Sequence, residues 1–205
     1  NEISITTSGT KARCYVWSIT LYGEGVSSNT PSQPSTPSTS ENSSSNQPGS
    51  SDVTIEGELE FDFSSLTGSS EITADKALAT FQGVLGENAS SLISVTPTKV
   101  YDGAGSGGAH ANEKGLIKFG TSDVKGSLIL EFADNVSFTK AEISCHAFYA
   151  SSNDFPTSDN KMTVNGVTLD LPYADGTPET LTFEFDAANE ISITTSGTKA
   201  RCYVW

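Results

Sequence analysis

Hydrophobic and polar residues alternate along much of this chain with a period of two, which is typical of β-strands with one buried face. The alternation is clearest at Leu59, Phe61 and Phe63, which are separated by acidic residues. It recurs over residues 128–132 and 181–186, and the pair Asn165-Gly166 between β-forming residues predicts a tight hairpin. The pattern predicts about nine or ten short strands separated by turns.

One segment has helical spacing instead. Thr73 is a candidate N-cap, and the apolar residues that follow it before Gly86 recur at helical intervals: Ala77, Leu78, Phe81 and Leu85. A glycine-rich stretch, residues 101–108, predicts a flexible turn. Because no helices alternate with the strands, a parallel α/β fold is excluded. We expect an all-β fold, a jelly-roll-like β-sandwich with one short helix.

The chain contains an internal repeat. The seventeen-residue segment NEISITTSGTKARCYVW occupies residues 1–17 and recurs without a mismatch at residues 189–205. The first copy continues into Ser18-Ile19-Thr20-Leu21-Tyr22, whereas the second copy has no such continuation. Two explanations fit: a window cut from a tandem array with a period of about 188 residues, or a strand duplicated by engineering.

The repeat divides the chain into three parts. Residues 1–25 predict two strands, the second with Tyr15, Trp17, Ile19 and Leu21 on one face. Residues 26–52 are rich in Ser, Thr and Pro and predict a flexible linker. Residues 53–205 predict a β-sandwich module that lacks half of its last strand.

The first copy carries the missing half-strand. We therefore expect residues 1–22 either to dock into the final-strand position of their own module or to be exchanged with a neighbouring module. Tyr15, Trp17, Ile19 and Leu21 are the candidate strand-exchange residues. The alternative is that residues 1–25 are the end of a preceding repeat and do not dock.

Composition narrows the classes of partner. Eleven basic residues against 25 acidic residues give a net charge of −14, which argues against nucleic acid and anionic membranes as partners. No apolar run is long enough to insert into a membrane.

Cys14 and Cys202 are the same repeat position, so a module holds Cys145 and Cys202. A disulfide between them is one option, but strand alternation places them on different faces and favours thiols.

The sequence suggests no catalytic residues, and we do not expect an enzyme. His110 lies in a Gly- and Ala-rich stretch, and His146 has the parity of an outward-facing residue in its strand.

Calcium is the one cofactor suggested, because oxygen ligands cluster between residues 151 and 161, at Asn153, Asp154, Asp159 and Asn160. Asn- and Asp-rich turns also occur without metal. Aromatic residues near loop ends form a candidate glycan-binding set: Tyr101, Tyr149, Phe155 and Tyr173.

The pattern of residues 189–205, continued by Ser18–Tyr22, resembles repeat modules of secreted and surface-anchored bacterial proteins. This resemblance implies a location outside the cell and a role in stalks, adhesion or substrate targeting. We expect a non-catalytic repeat module for structural display or adhesion, whose partners are itself or neighbouring repeats. The alternative is a carbohydrate-binding module that targets an enzyme or adhesin to glycans.

Overall fold

The computed structural model describes residues 14–24, 56–106, 110–121, 123–148, 160–172 and 178–197. These residues form one α-helix, α1 (Ala74–Leu85), and 3-10 helices at Phe63–Ser65 and Gly86–Ser91. The strands of the described part are β1 Cys14–Glu24, β2 Glu56–Asp62, β3 Leu92–Thr98, β4 Val100–Asp102, β5 Ile117–Phe119, β6 Ser127–Phe132, β7 Ser137–Ala147, β8 Lys161–Val164, β9 Val167–Asp170, β10 Glu179–Ala188 and β11 Glu190–Ser196.

The strands form two antiparallel sheets that pack as a sandwich. Sheet 1 has the order β10-β7-β1-β5-β4, and β2 also pairs with β1. Sheet 2 has the order β3-β6-β11-β8-β9. The inner faces bury the alternating apolar residues of both sheets, so the predicted sandwich is confirmed at this level.

The core between the sheets is rich in phenylalanine. The largest fully buried aromatic side chains are Phe61, Phe63, Phe81, Phe119, Phe132, Phe138 and Phe183. Burying each of them stabilises the fold by roughly 1.5–3 kcal/mol. Several pack edge to face, with 4.7 Å between the ring centroids of Phe132 and Phe138. This aromatic cluster holds the two sheets together.

Helix α1 lies against β2 of sheet 1 and β3 of sheet 2. Thr73 is its N-cap residue, as predicted, and Ala77, Phe81 and Leu85 are its buried residues. The Phe81 ring centroid lies 6.0 Å from that of Phe61, and Gln82 Nε2 donates to the Leu92 carbonyl oxygen at 2.9 Å. The helix thus joins one strand of each sheet.

The hairpin between β8 and β9 has the tight turn that Asn165-Gly166 predicts. Asn165 has φ 43° and Gly166 has φ 87°, and both values are needed in a two-residue type I′ turn. The Asn165 side chain also bonds β11, because its Nδ2 donates to the Glu190 carbonyl oxygen at 2.9 Å. The hairpin is therefore fixed both by its own backbone and by the neighbouring strand.

Two predictions need correction. The predicted turn over residues 101–108 begins later, because Val100–Asp102 forms strand β4 and pairs with Ile117–Phe119. His146 faces away from Cys145, as alternation requires, but it is completely buried rather than outward in solvent. Its Nδ1 lies 2.8 Å from the Ala147 carbonyl oxygen. A histidine on the outer face can be buried when loops cover that end of the sheet, which strand alternation does not show.

Candidate functional site

The most distinctive place in this fold is the position of β1 inside sheet 1. On one side, Cys14–Glu24 pairs with β7 along its whole length. On the other side, Cys14–Val16 pairs with β5 and Ser18–Glu24 pairs with β2. We call this position the β1 slot. The described end of the first repeat copy, residues 14–17, and its continuation therefore lie in the interior of sheet 1 rather than at its edge.

The side chains of β1 that line the core are Val16, Ile19 and Leu21, all completely buried. The sequence pattern placed Tyr15 and Trp17 on the face of Ile19 and Leu21, and Val16 on the other face. The burial of Val16 contradicts that prediction for the first part of the strand. The cause is a register shift against β7 between Val16 and Ser18, a β-bulge that changes the face which successive residues present. The side chains of Tyr15 and Trp17 lie outside the described structure.

The core contacts of β1 come from both neighbouring strands. Leu21 is the Cα partner of Leu59 on β2 and of Ala141 on β7. Ile19 is the partner of Phe61 and of Ile143, and all of these residues are completely buried. Burying Ile19 and Leu21 stabilises the docked strand by roughly 1.5–3 kcal/mol each. A sandwich without β1 would leave this apolar surface exposed in its middle.

The outer face of β1 is tied to β7 by polar contacts. Tyr22 donates its hydroxyl to Glu142 Oε2 at 2.9 Å, and Lys140 Nζ lies 3.7 Å from the centroid of the Tyr22 ring. Lys140 also lies 3.0 Å from Glu142 Oε1. Partial burial, the bond to Glu142 and nearby acidic residues raise the pKa of Tyr22 to about 12. Hydrogen bonds from Lys140 and Tyr22 lower the pKa of Glu142. The hydroxyl therefore stays protonated and the carboxylate charged at neutral pH.

Gly23 sets how closely β1 approaches β7. A Cβ atom at this position would lie 1.7 Å from the carbonyl oxygen of Ser137. Any side chain would force the two strands apart, so only glycine fits here. The β1–β7 register also shifts between Tyr22 and Gly23. Sequence analysis missed this residue, although a glycine inside an alternating strand is a known signal of close backbone approach.

The second repeat copy contributes a different strand. Its Glu190–Ser196 forms β11 between β6 and β8 in sheet 2, with Ile191 and Ile193 completely buried. The equivalent residues of the first copy, and residues 198–205 of the second, lie outside the described structure. Among the described residues, each copy thus supplies a different one of the two strands encoded in the repeat.

Of the candidate glycan-binding residues, the structure describes only Tyr101. Tyr101 is half-buried on β4, and Lys118 Nζ lies 4.1 Å from the centroid of its ring. The lysine therefore covers one face of the ring. Tyr149, Phe155 and Tyr173 lie outside the described residues. The carbohydrate-binding alternative therefore stays a prediction.

The candidate calcium ligands are likewise only partly placed. Asn160 is described and is 2% exposed, and neither polar atom of its side chain has a hydrogen-bond partner among the described residues. Asn153, Asp154 and Asp159 lie outside the described residues. Within the described ranges, no group of three or more His, Cys, Asp or Glu residues could hold a metal ion.

The two histidines lie near each other at one end of sheet 1. His110 Nδ1 is 2.6 Å from Glu113 Oε2, and burial, followed by the electrostatic effect of His146, lowers the pKa of His110 to about 4. His110 is therefore neutral at neutral pH. Cys145, on the opposite face of β7 from His146, is completely buried in the core.

Comparison with known proteins gives no further guidance. No protein-family model, no curated protein and no solved structure matches this chain. In the part of the chain that the structure describes, no helix is long and apolar enough to cross a membrane. Any function therefore has to be argued from the geometry of the β1 slot.

Proposed function

We propose that this chain is a non-catalytic repeat module for structural display or adhesion on the outside of a bacterial cell, and that modules join by exchanging strand β1. The observation that carries the proposal is the interior position of β1 in sheet 1. The resemblance of the repeat to modules of secreted and surface-anchored proteins supports the location. The acidic outer side of β2, at Glu58, Glu60 and Asp62, suits a surface that remains hydrated.

The connection between β1 and β2 is much longer than the fold requires. Glu24 and Glu56 are direct partners in the antiparallel pair, so a two-residue turn could join the strands. Residues 25–55 stand in its place, and their Ser-, Thr- and Pro-rich composition predicts a linker that spans roughly 30 Å. That reach allows β1 to enter either its own slot or the slot of an adjacent molecule. Such exchange of a strand between identical modules is a general route to dimers and fibres.

The same linker leads us to expect that the closed form dominates in dilute solution. A short flexible tether holds its two ends at an effective concentration of about 1 mM, so intermolecular docking competes only above that range. In a packed cell-surface layer or a tandem array, neighbouring slots are present at comparable concentrations. We also propose that the strand connections follow a jelly-roll path, because consecutive strands cross between the sheets from β2 to β3, β3 to β4, β5 to β6, β6 to β7, β7 to β8, β9 to β10 and β10 to β11.

A pair of linker variants tests the proposal. In the first, residues 25–55 are deleted so that Glu24 is bonded directly to Glu56, which leaves no turn and prevents β1 from folding back. In the control, an Asn-Gly turn replaces the same residues and permits the hairpin. We expect light scattering after size exclusion to show dimers or longer species for the first variant at micromolar concentration, and a monomer for the control. A folded monomer in both cases would refute strand exchange.

A further inference from the structure

We propose that Asn165 is a deamidation site which strand β11 protects, and that deamidation there weakens the attachment of β11 to the β8–β9 hairpin. The reacting groups are the Asn165 carboxamide and the backbone nitrogen of Gly166, and the co-reactant is water. Neither the reaction nor its effect depends on the exchange of β1, so this modification site goes beyond the proposed function.

The dipeptide Asn165-Gly166 is chemically suited to cyclisation. The Gly166 nitrogen attacks Cγ of Asn165 and forms a new C–N bond while its own proton passes to solvent, and the side-chain nitrogen takes up a proton and leaves as ammonia. Water then adds to either carbonyl carbon of the cyclic imide and breaks its C–N bond, which gives aspartate or isoaspartate. The net change exchanges ammonia for water, without oxidation or reduction. Glycine favours this path because it has no Cβ to obstruct the approach of its nitrogen.

Strand β11 holds both polar atoms of the Asn165 carboxamide. Oδ1 accepts from the Ser192 backbone N–H at 2.7 Å, and Nδ2 donates to the Glu190 carbonyl oxygen at 2.9 Å. The Asn165 backbone N–H also donates to the Ser192 carbonyl oxygen at 3.0 Å. The last ladder pair between β8 and β11 is Val164 with Ile193. The Asn165 side chain therefore continues this ladder as a further residue of β8 would.

The turn conformation also opposes ring closure. Asn165 has φ 43° and Gly166 has φ 87°, so both lie in the left-handed region. In that conformation the Gly166 nitrogen points away from the Asn165 side chain, and the peptide between the two residues has to rotate before the nitrogen can reach Cγ. The carboxamide has to leave Ser192 and Glu190 as well, because Cγ turns toward the nitrogen and becomes tetrahedral. Deamidation therefore requires the hairpin and β11 to separate, and its rate follows the population of that open state.

Deamidation in turn weakens the contact that prevents it. Aspartate keeps an oxygen that accepts from the Ser192 N–H, but it has a carboxylate oxygen in place of Nδ2. A carboxylate has no hydrogen to donate, so this oxygen faces the Glu190 carbonyl oxygen and the two repel. Isoaspartate adds a carbon atom to the backbone, which no longer fits a two-residue turn. The reaction thus makes a transient separation of β11 a lasting one.

Peptide mapping of the full chain by mass spectrometry tests the protection. The chain is incubated at mildly alkaline pH in buffer and in guanidinium chloride, and the fraction deamidated at Asn165 is followed with time. We expect the reaction to be at least about tenfold slower in the folded chain, because the open state is a minor one. Equal rates in the two solvents would overturn the protection.

A matched pair of small truncations tests whether β11 provides the protection. Ile193→Val loosens β11, whereas Ile143→Val loosens β7 in the other sheet. Both isoleucines are completely buried, and each change is too small to unfold the chain. Ile193→Val should accelerate deamidation in buffer about twofold or more, and Ile143→Val should accelerate it less. Equal rates in the two variants would show that global unfolding controls the reaction, which would overturn the role of β11.

Asn165→Asp reproduces the aspartate product and tests its effect on β11. Amide hydrogen exchange over residues 190–194 should be about tenfold faster than in the unchanged chain. The control Asn135→Asp adds the same charge at an exposed position between β6 and β7 and should leave this exchange unchanged. Unchanged exchange in Asn165→Asp would overturn the effect of deamidation on β11. These readouts do not involve β1, so a failure of strand exchange leaves them unaffected.

Discussion

Leu21→Ala is the substitution that most directly measures how much β1 contributes to the sandwich. Leu21 is completely buried between Leu59 on β2 and Ala141 on β7. Its truncation removes apolar contact and leaves a cavity between two flanking strands, which costs roughly 2–5 kcal/mol for a buried leucine. A domain of this kind has a total unfolding free energy of about 5–15 kcal/mol, so the effect is a large part of the stability.

The assay is denaturant unfolding followed by tryptophan fluorescence and circular dichroism. We expect Leu21→Ala to unfold at a lower midpoint concentration of denaturant. The slope of the unfolding free energy against denaturant concentration should stay constant, which indicates a change in stability rather than in compactness. The matched control is Thr20→Ala in the same strand. Thr20 is half-buried on the opposite face, and its truncation should change stability by less than about 1 kcal/mol.

The result that would refute this reasoning is a stability change below about 0.5 kcal/mol for Leu21→Ala, equal to that of the control. It would mean that the sandwich is equally stable whether or not β1 is docked. A large effect in Leu21→Ala alone would instead establish that β1 completes the core, as the burial of Leu21 requires.

Two glycine substitutions should change stability in opposite directions, as measured by thermal unfolding. Gly23→Ala should destabilise the protein by about 1–3 kcal/mol, because the new Cβ atom would lie 1.7 Å from the Ser137 carbonyl oxygen. Gly83→Ala in α1 has open space around it and should stabilise the protein by about 0.5–1 kcal/mol. The lowered pKa of His110 means that the unfolded chain takes up a proton first, so stability should fall as the pH drops from 6.5 to about 4. His110→Gln should flatten this decline in urea titrations at several pH values, and an unchanged pH profile would contradict the role of His110.

Much of the fold follows from local patterns in the sequence. The alternation at Leu59, Phe61 and Phe63 predicts a strand with a buried face, and all three side chains are buried. The cap and spacing after Thr73 predict α1, and Asn165-Gly166 predicts the β8–β9 hairpin. These features depend on interactions between residues close together in the chain, so a single sequence contains the information.

At the candidate site, the sequence predicted the duplicated segment but not the local geometry of its strand. Exact repetition of residues 1–17 at residues 189–205 revealed the duplicated strand and its continuation, because identity needs no structure to be seen. It did not show the bulge between Val16 and Ser18, which depends on pairing with β7 far along the chain. One inserted residue reverses the face of the residues beside it, and period-two reasoning cannot detect that change.

The sequence by itself therefore determined the strand content, the helix, the principal turns and the existence of two equivalent segments. Only the tertiary structure decided which segment fills which sheet: Cys14–Glu24 enters sheet 1, and Glu190–Ser196 enters sheet 2. It also decided that Gly23 must be a glycine and that Tyr22, Lys140 and Glu142 meet on the outer face. The physical reason is that these features depend on contacts across strands between residues far apart in the chain, such as Tyr22 and Glu142, which lie 120 positions apart.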